Sequence, residues 1–332
     1  MKHVVHWGAS AYTTAAELEL EQQMVSDLGL GWSEWRDKNS FPPDLARADV
    51  LVVSSSVRVD DEVLDSFGGS LILTTTNGYD HLDLARCRVR GIQVARMPLA
   101  RRDAVVEHSL GMMIALMRRF PSLQRAAEEG QWVRGLLPEL NPCGLGGARV
   151  AVLGLGVIGR RMAEVLHCFG AEVLGVDVAL GSRSYVEEVG RHVSLVSLEI
   201  ALQQADVVTA HCSLTPSSRE ILSAEKLAIL RQGAIVINTA RGSVLDVQTA
   251  LAMVESGHLA GLAVDVFPVE PYPQLAEGAA VPGVFFSPHS SGYTTNLGAN
   301  LIEDTKIALS AWLRGDAVPW SLIDGEAPEV VV

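Results

Sequence analysis

The stretch "VAVLGLGVIGRRMAEVL", residues 150 to 166, constrains this chain more than any other. An apolar β-type run ends in Gly154, and Gly154, Gly156 and Gly159 follow in G-x-G-x-x-G spacing before a segment of helical composition. The spacing alone is weak, and a glycine-rich turn without a ligand is its plainer explanation. A strand before it and a helix after it are the context that a dinucleotide-binding βαβ unit requires. There Gly154 permits the tight turn, Gly156 lets the backbone approach a pyrophosphate, and Gly159 lets helix and strand pack closely. The helix N-terminus adds free N–H groups and a partial positive charge. Eighteen residues beyond Gly159 the next β-type run ends in Asp177. A carboxylate there accepts both ribose hydroxyls and repels a 2′-phosphate, so the pattern predicts NAD rather than NADP. Arg183 and Ser184 lie close behind, placed to moderate that preference.

Short β-type runs alternate with helical segments on both sides of this motif, which predicts parallel sheets flanked by helices. "HVVHW", "DVLVVSS", "LILTTT" and "IQVAR" are the strand candidates of the first hundred residues. A long helical stretch over about residues 103 to 130 follows, with an apolar stripe at Val105, Leu110, Met113 and Leu116. The second series offers "VAVLG", "EVLGVD", "DVVTAH", "AIVINTA", "LAGLAVDVF" and "GVFFSPH", enough for a six-stranded doubly wound sheet. With 332 residues, there is chain for two domains. The net charge of −13 argues against a nucleic-acid partner, because phosphate binding needs a basic face. Four scattered cysteines form no CxxC pair, so no metal site or disulfide framework is signalled. No apolar run is long enough to cross a membrane and no signal peptide is recognised, which points to the cytoplasm.

Three polar residues stand at the carboxyl ends of strand candidates, where open α/β sheets bind ligands. Arg241 follows "AIVINTA", Glu270 lies in "VDVFPVEP", and His289 lies in "FFSPHSSG". Histidine moves protons near neutral pH, a carboxylate beside it fixes its tautomer, and arginine grips a carboxylate with two hydrogen bonds. Taken singly, each has an ordinary reading as a solvated or packed side chain, and spacing alone leaves the joint reading open. The eight other histidines, at 3, 6, 81, 108, 167, 192, 211 and 258, have no partnered spacing and read as structural or exposed.

The segments "VLGLGVIGRRMA", "NTARGSVLD", "LAVDVFPVEP" and "SPHSSGYT", with "TTTNGYDHLDL" and "AVVEHSLGMMIAL" upstream, resemble the signatures of the D-isomer-specific 2-hydroxyacid dehydrogenase family, in order. The resemblance runs from about residue 70 to 310. It implies an α/β protein of two doubly wound parallel-sheet domains with the active cleft between them. Residues 1–98 and 293–332 would form a flavodoxin-like substrate domain, and 99–292 a Rossmann domain for NAD. His289 would be the general acid/base, Glu270 its partner, and Arg241 the clamp on the substrate carboxylate. Asn77 and Gly78 match a loop whose N–H groups hold the same carboxylate. Val157 and Ile158 match the pyrophosphate turn, and Cys212, Thr239, Asp265 and Gly292 match positions near the cofactor. The Cys212 side chain itself reads as an unreactive thiol. The implied reaction passes a hydride between nicotinamide and a small 2-keto or 2-hydroxy acid of D configuration. Family members pair as dimers through their cofactor domains.

Two departures stand out. "MPLARRDAVVEH" places Arg101 and Arg102 where the family has small or neutral residues, and Ser213 replaces a common proline. Arg101 is either a solvated loop cation or a contact to a second anionic group on the substrate. Two rival functions share these motifs: an NAD-sensing corepressor-like interaction protein, and a relative that oxidises phosphite or a phosphonate.

Overall fold

The computed structural model describes residues 1–8, 14–180, 185–188, 191–273 and 282–323, so Arg183 and Ser184 lie outside the described residues. The chain divides into two units, one made of Met1–Arg101 with the segment from Thr294 onward, the other of Arg102–Tyr293.

In the first unit, strands β1 (His3–Trp7), β2 (Gly31–Trp35), β3 (Val50–Val53), β4 (Leu71–Thr74) and β5 (Gln93–Arg96) form one parallel sheet in the order β2-β1-β3-β4-β5. Strand β2 was not among the expected strands. It is an edge strand, half-buried along its whole length, and Ser33 and Glu34 between its tryptophans hide the apolar pattern. Helices form where caps start them. Thr14 and Glu17 close a reciprocal capping box on the helix Ala15–Asp27, and Asp60 and Asp83 cap the helices Asp61–Ser66 and Leu84–Val89. One sheet face buries Val4, Val50 and Leu71 against Val25, Ala308 and Leu309, the last two from the helix Leu297–Arg314. The other face buries Val5, Leu51 and Ile72 against Leu64 and Cys87.

His6 on β1 and Glu21 on the first helix are both buried, and Nδ1 lies 2.7 Å from a carboxylate oxygen. Burial alone would lower the His6 pKa, but the carboxylate outweighs it and holds the imidazole above its ordinary 6.5. The folded pKa is raised, so the stabilisation is complete below pH 6.5 and fades as the pH rises through the folded value. Thermal melts on the alkaline side are expected to fall with pH, and Glu21→Gln should flatten that dependence. Parallel curves for parent and variant would remove the pair from the account.

The second unit carries β6 (Arg149–Leu153), β7 (Glu172–Val176), β8 (Tyr185–Glu188), β9 (Arg191–Leu195), β10 (Val207–Ala210), β11 (Ala234–Asn238), β12 (Leu259–Val264) and β13 (Val284–Phe286). Their order is β13-β12-β11-β10-β6-β7-β9-β8, parallel except for the antiparallel pair β8–β9. The sheet therefore has eight strands rather than six. The added pair was hidden because "YVEEVGRHVSL" is rich in charge and lacks an apolar run. The long helical stretch also divides, into helices Arg102–Met117 and Phe120–Glu128. Arg119 between them has φ 59°, and Pro121 in the first turn of the second helix has no N–H with which to continue the first. Leu116, Val150, Met162 and Ile237 pack on one face of this sheet, and Leu153, Leu202, Val236 and Leu262 on the other.

Candidate active site

The glycine turn leaves β6 and enters the helix Val157–Cys168, with Gly156 as its N-cap. Gly154 has φ +89°, and a Cβ there would stand 2.7 Å from the Cys212 Cα. A Cβ on Gly159 would fall inside contact distance of the Gly154 carbonyl oxygen, whereas one on Gly156 would meet nothing within 4 Å. Two glycines are thus demanded by the fold, and the third faces open space at a helix N-terminus. That open cradle fits a dinucleotide pyrophosphate. The Asp177 carboxylate, just past β7, accepts the Leu155 N–H at 2.6 Å and so braces the turn beside the cradle. Val157 and Ile158 open the helix, and Ile158 turns into the core. Cys212 follows β10, and burial pushes its thiol up to about 11, so it stays protonated. Burial likewise takes the neighbouring His211 down to about 4, a neutral imidazole. Thr239 is buried, its hydroxyl 2.9 Å from that of Ser109.

Beyond β11 the Asn238 side chain clasps the next turn. Its amide donates to the Arg241 carbonyl at 3.0 Å, and its carbonyl accepts the Ala240 N–H at 3.0 Å. Gly242 follows because a Cβ there would overlap the backbone of Phe267 and Pro268. The cation after a buried strand is therefore held by a fixed backbone.

His289 Nδ1 lies 2.8 Å from one oxygen of Glu270, and the other oxygen accepts the Phe267 N–H at 2.9 Å. Both side chains are exposed. The His289 backbone has φ +54°, in the left-handed region. Asp265 holds it there. The Asp265 carbonyl accepts the His289 N–H at 2.8 Å, and its buried carboxylate accepts the N–H groups of Ser290 at 2.8 Å and Ser291 at 3.0 Å and the Ser287 hydroxyl at 2.5 Å. Burial alone would raise the Asp265 pKa, but the hydrogen bonds from Ser287, Ser291 and Ser290 outweigh it and hold the carboxyl ionised. Gly292 follows directly. His108, on the helix Arg102–Met117, joins this network with Nε2 3.0 Å from the Ser287 hydroxyl. Neither His108 nor Ser287 was expected at the site, because the residues concerned lie far apart in sequence and no local spacing marks them.

Asn77 and Gly78 lie in the first unit, in the loop after β4. The Asn77 side-chain oxygen is buried with no hydrogen-bond partner among the described residues. Arg101 also belongs to that unit; it is half-buried, and its Nε reaches the Thr75 carbonyl at 3.5 Å. Arg102 pairs with Asp103, which also binds Arg161. No group of histidines, cysteines and carboxylates that could hold a metal occurs among the described residues.

The strand, glycine turn and helix N-terminus give the second unit the form of a dinucleotide-binding α/β domain. A family model described as D-isomer specific 2-hydroxyacid dehydrogenase, NAD binding domain, matches residues 110–291. A glyoxylate reductase of Thermofilum pendens is 30% identical over 284 residues, 85% of this chain and 83% of that protein. A D-3-phosphoglycerate dehydrogenase of Mycobacterium tuberculosis is 29% identical over 294 residues, 86% of this chain; the chain spans 54% of that longer relative. A D-lactate dehydrogenase of Aquifex aeolicus, solved with NAD and lactic acid, has a TM-score of 0.77 at 24% identity, covering 97% of this chain and 99% of that one; this likeness concerns the fold. The chain belongs to the D-isomer specific 2-hydroxyacid dehydrogenase family. It is an NAD-dependent oxidoreductase, and NAD is its cofactor.

Proposed function

We propose that the enzyme interconverts a small 2-keto acid and the corresponding D-2-hydroxy acid. The carrying observation is the His289–Glu270 pair at 2.8 Å, on a loop anchored to buried Asp265. NAD(H), when bound, supplies or takes the hydride at C2. Glu270 holds the Nδ1 side of the imidazole, which leaves Nε2 to give a proton to the carbonyl oxygen in reduction and to take it from the hydroxyl in oxidation. Arg241 grips the substrate carboxylate and polarises the adjacent carbonyl. The Asn77–Gly78 loop offers backbone N–H groups to the same kind of anion. Gly154, Gly156, Val157, Ile158, Gly159 and Asp177 would hold the adenosine and pyrophosphate side of the cofactor. Cys212, Thr239, Asp265 and Gly292 would line its nicotinamide side.

The test is a screen of NADH oxidation across 2-keto acids. Turnover of at least one supports the reading; NADH binding without any turnover would favour a corepressor-like protein instead. Asp177 gives a second check. NAD(H) is expected to bind better than NADP(H), and Asp177→Ala should narrow that gap, mainly by weakening NAD(H). Equal affinities in the parent would overturn the role given to Asp177.

We also read the protein as a cytoplasmic homodimer. Phe120, Trp132 and Leu136, exposed on the second unit, favour pairing of copies there. No helix among the described residues is long and apolar enough to cross a membrane.

A further inference from the structure

Within the second unit, the loop that carries His289 is tied to a helix as well as to Asp265. The helix Arg102–Met117 is firmly seated: Val105, Met112 and Met113 are buried in the core. The Ser109 hydroxyl donates to the Val105 carbonyl at 2.7 Å and lies 2.9 Å from the Thr239 hydroxyl. His108 stands on the side of Val105 and Met112, three and four residues away. Its Nε2 is 3.0 Å from the hydroxyl of Ser287, the residue directly after β13. That hydroxyl in turn lies 2.5 Å from Asp265 Oδ1, which gives the chain of bonds a direction. An ionised carboxylate only accepts, and a hydroxyl has one hydrogen. Ser287 therefore donates to Asp265 and accepts at His108, so His108 Nε2 carries a hydrogen. The same Nε2 is 3.8 Å from Asp265 Oδ1. Asp265 is fully buried, so every donor lost leaves its charge less compensated. Its carboxylate passes the tie onward to the N–H groups of Ser290 and Ser291.

We propose that His108 is a positioning residue for the acid–base histidine: through Ser287 and Asp265 it fixes the loop from 287 to 291 against the helix Arg102–Met117, and so places the His289 imidazole for proton transfer. This rests on the 2-keto acid reading above. His108 needs no contact with substrate for it. The Nε2 hydrogen orients the Ser287 hydroxyl toward Asp265. Without that donor the hydroxyl can turn away, and the left-handed backbone at His289 keeps fewer ties.

The experiment compares the parent with His108→Leu, His108→Gln, Ser287→Ala and the double variant of His108→Leu with Ser287→Ala, on a 2-keto acid that the screen shows to be reduced. His108→Leu should lower kcat about ten- to a hundredfold, the scale for a misplaced reacting group, with KM for the acid and the stoichiometry of NADH binding unchanged. His108→Gln, whose amide restores a donor to Ser287, should recover most of that kcat. The double variant should fall within about twofold of the slower single variant, because both substitutions cut the same chain. Nitrogen NMR spectra of the histidine side chains give a readout independent of turnover. In the parent, His108 should carry hydrogen on Nε2 and His289 on Nδ1, toward Glu270; in His108→Leu the preference at His289 should weaken. Thermal melts identify any variant that fails to fold, and the parent spectra then decide alone. A bare His108 Nε2 in the parent would overturn the tie. So would a leucine variant as fast as the parent, a glutamine variant as slow as the leucine one, or losses that multiply in the double variant. If no acid is turned over, the reading on which the proposal rests falls, and the spectra still judge the tie.

Discussion

His289→Ala is expected to lower kcat by roughly 10²–10⁴, the range for a positioned acid–base group, while NADH binding survives. The fall should appear in every 2-keto acid that the parent reduces, because the proton goes to an atom common to all of them. Fluorescence titration with NADH and steady-state kinetics check the two halves. Alanine at this position also meets a cost unrelated to chemistry, since the backbone is left-handed at φ +54°. His289→Asn separates the two effects. Asparagine tolerates that conformation but carries no proton donor of suitable pKa, so it should fold like the parent and stay as slow as the alanine variant. An Asn variant that recovers the parent rate would take the proton transfer away from His289.

Gly159→Ala is expected to damage both fold and cofactor binding. The added methyl group would enter the space of the Gly154 carbonyl oxygen, which is backbone and cannot swing aside. Overpacking of this kind costs about 1–3 kcal/mol, and retreat of the helix would open the turn proposed above to hold the cofactor. Both the melting temperature and NADH affinity should fall. Gly156→Ala provides the contrast, because a Cβ there meets nothing within 4 Å. It should melt like the parent yet bind NADH poorly, since the methyl group occupies the place where the backbone approaches pyrophosphate. If Gly156→Ala keeps the parent affinity, the cradle lies elsewhere.

The parts of the molecule that were legible in the sequence are those whose signal is local. Strand β6, the glycine turn and Asp177 lie within a span where spacing, apolar pattern and a helix start reinforce one another. Arg241, Glu270 and His289 stood out because each follows an apolar strand run, and the structure brings Glu270 and His289 within a hydrogen bond. Strand β2 escaped because an edge strand with half-buried residues needs no clean alternation. The division at Arg119 escaped because the helical composition runs on past it while the backbone turns left-handed there. Ser287 stands two residues from His289, yet its pairing with His108 and Asp265 depends on tertiary contact across 179 and 22 residues. A single sequence carries no mark of such partners.

The loop that carries His289 is specified less by its side chains than by its main chain. Asp265 captures it through amide hydrogens of residues 289, 290 and 291, two of them on its carboxylate and one on its own carbonyl. Substitution at 290 or 291 leaves those donors in place whatever side chain is chosen, with proline as the exception. The loop can therefore drift in sequence while keeping its geometry. The same arrangement makes this anchor poorly visible to alanine scanning, and it concentrates the vulnerability of the loop in one buried acid remote from it in sequence.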